Sequence, residues 1–371
     1  MTAIPPQPPG VPPQPGYPSP WPYAYPGYPP YAPAPEPARR GVSFFLAILF
    51  FLLLCVSGVI NLFLLFTVAG MAGASGMGGL SEHWIEEAVG GDPRATAKVV
   101  RIRVDGVIAE GAMPLLGGAG GTVTRIKKSL EAAAEDKNLC GVILSINSPG
   151  GGVSDSDQIH RLITEFKKKH GVPVVAQFRD LAASGGYYIA AACDRILAEP
   201  TTLTGSIGVI VSTWNYAKAA EKIGIQDVVI LSPNTPFKDI MSGARPMRDE
   251  ERRILTDIVE EMYQRFVDVV AAGRSNLTRD EVLKLADGRI YTGKQAVQKG
   301  LVDAEGTEND ALEWIQKTRN QSRVVLVEFH RPRSPFETLL GTPTQSRGLD
   351  GLLAEVAASF QTRMMYLWPG R

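Results

Sequence analysis

The spacing of apolar positions changes along this chain, and the changes divide it. Residues 41–74 (GVSFFLAILFFLLLCVSGVINLFLLFTVAGMAGA) contain no charged position. A bilayer core needs roughly 20 apolar residues in a helix, so this run predicts one transmembrane helix, taken as 41–70. Residues 71–96 turn Gly-rich and then acidic and read as a stalk. From 97 onward, short apolar runs alternate with amphipathic stretches. KVVRIRVDGVI (98–108) and GVILSIN (141–147) predict strands, as does GVPVVAQF (171–178). TVTRIKKSLEAAAED (122–136) predicts an amphipathic helix, preceded by a glycine loop at 117–121. SDSDQIHRLITEFKKKHG (154–171) predicts another, with apolar residues at 159, 162, 163 and 166 and Gly171 after its end. A long helix is expected over 249–273. Strands alternating with helices give an α/β class with a largely parallel sheet, and ligands are expected near the strands' C-terminal ends. The folded domain is bounded at 97–330, with a C-terminal extension, 331–371, whose segment 352–371 has the apolar pattern of a helix.

Composition adds limits. The 38 basic and 38 acidic residues balance, so no basic surplus points to nucleic acid. Cys55, Cys140 and Cys193 sit in apolar contexts and neither pair as a disulfide framework nor match a zinc spacing. Residues 1–40 form a Pro/Tyr-rich tail that cannot bury enough surface to order itself. Arg39 and Arg40 flank the apolar run, and no further Lys or Arg follows until Arg94. That asymmetry places the N-terminus in the cytoplasm and the bulk of the chain outside. A cleaved signal peptide competes with this reading, because AGMAGASG offers small residues. The run is nevertheless longer than the ~7–15 residues of a signal h-region.

The candidate chemistry centres on AASGGYYIAAACD (182–194), where an apolar strand gives way to a small-residue turn and a helix start. Ser184 there is either a nucleophile or a helix N-cap. A nucleophilic serine needs a base and oxyanion donors. The four histidines, His83, His160, His170 and His330, lie in no motif-like setting, which turns attention to Ser-Lys dyads. A lysine base must present a neutral amine. Lys238 in NTPFKDIMSG (234–243), between Phe237 and Ile240-Met241, is the candidate, with a surface lysine paired to Asp239 as its plain alternative. Three other signals have structural readings. Asp155, Asp157 and His160 suit helix caps and a surface position better than a metal site, and Thr278 with Glu281 forms a capping box. The glycine loops lack a Walker lysine.

Five motifs occur in order: SPGGG (148–152), AASGGYYIAAACD, TGSIGVI (204–210), FKDIMSG (237–243) and GRIYTGKQAVQKGLVD (288–303). Together they resemble signal peptide peptidase A in its short, membrane-anchored form, over roughly 97–320. The resemblance implies a ClpP/crotonase-like fold of ββα units and a Ser/Lys dyad that cleaves residual signal peptides and other hydrophobic peptides, without cofactor or metal. It implies Ser184 as nucleophile, Lys238 as base and Ser206 as the hydroxyl that holds the lysine amine. The N–H of Gly185, with the Gly150-Gly151 loop, would form the oxyanion hole. It also implies a homo-oligomeric ring on the plasma membrane, with the catalytic domain extracytoplasmic and the lysine of one subunit completing its neighbour's site. A crotonase-type acyl-CoA enzyme and a non-catalytic scaffold of the same fold are the alternatives. The extension is expected to pack against a neighbouring subunit or to rest in the substrate groove.

Overall fold

The computed structural model describes residues 40–76, 84–110, 121–330 and 364–367. The Pro/Tyr-rich tail and the glycine loop at 117–121, apart from Gly121, lie outside them, as does most of the C-terminal extension. The chain forms two compact units, Met1–Gly79 and Leu80–Arg371. In the first, α1 (Arg40–Gly76) carries an uncharged 20-residue stretch, Phe44–Phe63, of mean hydropathy 2.7. By length and composition it can cross a membrane.

The second unit is α/β. It begins with β1 (Ile85–Gly91), β2 (Lys98–Asp105), α2 (Thr122–Glu135), β3 (Leu139–Ser148), β4 (Gly150–Gly152) and α3 (Val153–His170). The central part is β5 (Val174–Ala183), α4 (Gly185–Ala190), β6 (Arg195–Ala198), β7 (Leu203–Gly205), β8 (Ile210–Val211), α5 (Ala217–Lys222) and α6 (Asp249–Gly273). Then come α7 (Arg279–Leu285), β9 (Ile290–Thr292), α8 (Gly293–Gln298), β10 (Ala304–Glu305), α9 (Glu308–Thr318), β11 (Val325–His330) and β12 (Met364–Leu367).

The main sheet runs β1-β11-β2-β3-β5-β6-β10, with β7 pairing β5 and β9. Its central pairs are parallel, and β1 is an antiparallel edge strand on β11. Period-two side-chain alternation explains the nearly unbroken apolar runs of the inner strands, which are covered on both faces. Val100, Val142, Leu144, Val174 and Ala176 face one core with α2, α3, α4 and α6. Their neighbours Val99, Ile143 and Val175 face a smaller core with Ala311, Leu312 and Ile315 of α9. Gly171, at φ 61, ends α3 in the left-handed conformation that glycine adopts without a Cβ penalty.

Residues 85–91 are therefore not stalk. IEEAVGG is largely exposed and lacks an inward apolar face, yet β11 offers it a ladder, and the folded domain starts there rather than at 97. The extension also differs from its helical pattern: its described residues, Met364–Leu367, form a strand.

Candidate active site

Ser184 sits at the C-terminal end of β5, where the parallel sheet opens. Its φ of 54 and ψ of −116 are rare for a residue with a side chain and cost on the order of 1–3 kcal/mol. The turn is held from both sides: Ser184 donates its N–H to Gly205 at 2.8 Å, and its carbonyl accepts from Tyr188 at 2.8 Å. Although Ser184 stands at the N-cap of α4, its side chain makes no cap bond. The hydroxyl is buried without a hydrogen-bond partner, which removes the N-cap alternative for it.

The helix after Ser184 packs densely. Every residue of α4 is buried, and the two tyrosines keep their hydroxyls satisfied: Tyr187 donates to the Leu301 carbonyl at 2.7 Å and Tyr188 to Asp157 at 2.6 Å. Asp157 is thus a tyrosine and Arg265 partner, and Asp155 accepts from the Glu110 N–H at 3.2 Å. His160 lies edge-on to the Tyr188 ring at 5.5 Å. Thr278 and Glu281 form the capping box of α7.

The glycines expected near Ser184 do converge on it. A Cβ at Gly185 would lie 3.1 Å from the Gly151 nitrogen and 3.2 Å from the Gly150 Cα, so the SPGGG backbone lies against the start of α4. Gly185, as the first helical residue, has an N–H that precedes the helix's own ladder. Ile108 donates to the Gly150 carbonyl and accepts from the Gly152 N–H, both at 2.8 Å. Those flanking groups face Ile108, so the N–H and carbonyl of Gly151 face the other way, toward β12. A Cβ at Gly151 would meet the Ile108 carbonyl oxygen at 1.9 Å, which is why glycine is required there.

Ser206 leaves β7 beside Ser184. Ala183 pairs with Gly205 in parallel register, so the next residues of the two strands emerge as neighbours. Ser206 also has a positive φ, 49, and its N–H is fixed by the Arg289 carbonyl at 2.7 Å. A cavity of about 460 Å³ opens from it, lined in part by Ile207, Val209, Ile210 and Tyr263.

Lys238 makes no hydrogen bond to Ser184 within the chain. It lies exposed on a turn whose N–H bonds to Thr235 at 3.1 Å, while the Ser184 hydroxyl stays unpartnered. The turn itself is firmly built. Arg245 donates to Asp239 at 2.7 Å and also to Glu251, Arg248 donates to Asp239 and Glu251, and the Arg248 guanidinium stacks 5.4 Å from the Phe237 ring centre. Asp239 therefore belongs to the two arginines and is no partner of Lys238. The hydrogen bonds from Arg245 and then Arg248 hold the fully buried Glu251 carboxyl well below the usual carboxylate range. Its folded-state pKa is depressed, so its stabilisation is complete above the unfolded value of ~4.3 and is lost as pH falls through the folded value. Thermal midpoints at pH 7 and pH 3 should show the wild type losing more stability on acidification than Glu251→Gln. Equal losses would contradict the assignment.

The extension is expected against a neighbouring subunit or in the substrate groove; its described residues lie against the Gly150–Gly152 loop, but as a strand and not the helix that its pattern suggests. β12 lies antiparallel between β4 and β8, with Met365 opposite Gly152, Tyr366 opposite Gly151 and Leu367 opposite Gly150. On its other side Met364 and Met365 pair with Val211 and Ile210. An extended segment thus runs through the cleft beside Ser184, bonded by main chain on both edges.

A strained serine with a free hydroxyl, set among backbone N–H groups at a sheet's C-terminal end, defines a hydrolase-type site. Comparison with known proteins agrees. Residues 166–322 match Peptidase family S49. A protein of Enterococcus faecium provisionally named signal peptide peptidase SppA is 38% identical over 69% of this chain and 72% of its own. A protein of Synechocystis sp. provisionally named protease slr0021 is 42% identical over 67% of this chain and 84% of its own. The serine protease SPPA, chloroplastic, of Arabidopsis thaliana is 34% identical over 66% of this chain and 40% of its own. The chain belongs to peptidase family S49, the signal peptide peptidase A family, and it is a serine protease.

Proposed function

We propose that this protein is a membrane-anchored endopeptidase that cleaves residual signal peptides and other hydrophobic peptides through an acyl-enzyme on Ser184. The observation that carries the reading is the strand seated between β4 and β8. An extended chain bonded by main chain on both sides is the strand-addition mode of peptide recognition, and it leads past the Gly150-Gly151 backbone to the serine. In this reading Lys238 of a neighbouring copy takes the Ser184 proton as Oγ attacks the peptide carbonyl carbon, and Ser206 orients the lysine amine. The N–H groups of Gly185 and Gly151 stabilise the oxyanion, since the Gly150 N–H already donates to Ser148 Oγ at 3.1 Å. Lys238 then passes its proton to the leaving amine, and water hydrolyses the ester.

Assembly into a homo-oligomeric ring is supported by exposed apolar residues around the lysine-bearing region, including Trp214, Tyr216, Ile223, Val228 and Ile230. With Arg39 and Arg40 on the cytoplasmic side, α1 holds the peptidase unit on the outer face of the plasma membrane. A fluorophosphonate should label Ser184 stoichiometrically and abolish hydrolysis of a fluorogenic hydrophobic peptide in parallel. Mass spectrometry that found the label on another residue, with activity lost, would refute the assignment.

A further inference from the structure

Among the described residues, only two buried side-chain oxygens have no hydrogen-bond partner, and both belong to serines at Gly185. One is Ser184, which precedes it in the chain. The other is Ser156, on the first turn of α3, 0% exposed, whose Oγ lies 2.5 Å from the point a Gly185 Cβ would occupy. The Gly151 nitrogen stands 3.1 Å from that same point. Three polar groups therefore ring one glycine: the Ser156 hydroxyl, the Gly151 N–H and the candidate nucleophile.

An orphaned buried hydroxyl costs about 1–3 kcal/mol, and a helical serine or threonine normally avoids this by bonding the carbonyl four residues back. This protein uses that solution repeatedly. Thr164 bonds the His160 carbonyl at 2.8 Å on the same helix, Thr256 bonds Arg252 at 2.8 Å, and Thr318 bonds Trp314 at 2.8 Å. Ser156 does not, although the Gly152 carbonyl is at the right spacing in sequence. Its hydroxyl is kept free beside the groups that handle the substrate carbonyl.

We propose that Ser156 is a further catalytic residue, donating its O–H to the scissile carbonyl oxygen as that oxygen becomes negative, beside the N–H groups of Gly185 and Gly151. The proposal rests on Ser184 being the nucleophile. No bond to Ser156 forms or breaks, because the hydroxyl keeps its proton throughout. Gly185 is then glycine for two reasons: its N–H is a donor, and its missing side chain leaves room for the Ser156 hydroxyl.

The test uses the full-length enzyme in detergent with a fluorogenic hydrophobic peptide. Removing one oxyanion donor lowers kcat by about 10²–10³-fold elsewhere, so Ser156→Ala is expected to lower kcat about 10²-fold with KM within about threefold. Its thermal midpoint should stay level or rise, since an unsatisfied group is removed. Ser156→Cys, a weak donor of similar shape, should fall between. A peptide aldehyde, which forms a tetrahedral adduct on Ser184, should bind Ser156→Ala about 10²-fold less tightly, while the product peptide binds unchanged. A kcat within threefold of wild type overturns the proposal. So does a lowered midpoint with aldehyde and product weakened equally, which would mark a packing role. Activity persisting in Ser184→Ala removes the nucleophile assignment itself, an outcome visible in that variant alone.

Discussion

Ser184→Ala and Lys238→Ala, each inactive alone, should regain activity when the two variants are co-assembled. Each single variant is expected to fall by about 10⁴-fold or more, since nucleophile and base act as a unit. The basis for complementation is geometric. Within one chain Lys238 is exposed on its turn, and the buried Ser184 hydroxyl has no partner. A turn pinned by Asp239, Glu251 and two arginines is a rigid carrier for a lysine offered to a neighbouring copy. In a heterologous ring, each site takes its serine from one subunit and its lysine from the next. Random mixing of equal amounts then pairs an intact serine with an intact lysine at about one site in four, so about a quarter of wild-type activity should return. If both residues of a site came from one chain, no mixed assembly would contain an intact site. Co-expression with two affinity tags, followed by peptidase assay of the doubly purified species, separates the outcomes. A mixed oligomer as inactive as its parents would exclude the shared site.

Much of this arrangement could be read from the residue pattern. The inner strands were legible because burial on both faces leaves uninterrupted apolar runs such as CGVILSI. The long helix 249–273 was legible because Asp249, Glu250 and Glu251 open an amphipathic stretch. Ser184 and the glycines around it were legible as a strand-to-helix turn. The features that stayed hidden depend on partners distant in sequence. IEEAVGG has no strand pattern of its own and becomes β1 because β11 supplies its ladder. Ser156 lies in SDSD, a cluster that reads as helix capping. However, the N-cap of α3 is Gly152 without any side-chain cap bond, and burial against Gly185 gives Ser156 its special position. Lys238 could be picked out by its apolar neighbours, but its route to Ser184 could not. The segment MMYL follows a stretch with helical periodicity. It is a strand because β4 and β8 each present an unpaired edge, and two ladders outweigh a local preference that spans about 1 kcal/mol.

That last pairing carries the second large effect. Any peptide that enters between β4 and β8 must displace β12, because the main-chain groups of Gly151 and of Ile210–Val211 are the ones it would use. A tethered competitor acts at an effective concentration set by the length of its connection, here the 33 residues between His330 and Met364. A strand held there raises the apparent KM by the ratio of that effective concentration to its own dissociation constant, on the order of tenfold. Truncation after residue 363 should therefore lower KM for a short fluorogenic peptide by that factor and leave kcat unchanged. The candidate catalytic groups at Ser184, Ser206 and Gly185 lie outside the removed segment. Added in trans, a synthetic peptide matching 360–371 should inhibit the truncated enzyme competitively, and the full chain much less. A truncated enzyme with unaltered KM would mean that β12 does not hold the groove in solution. A fall in kcat with an unchanged KM would instead give the strand a supporting role in the site. The deletion also bears on the ring, because a strand needed for subunit contacts would shift the sedimentation of the truncated protein. Retained oligomer size with lowered KM is the expected pair of results, and it separates occupancy of the groove from assembly.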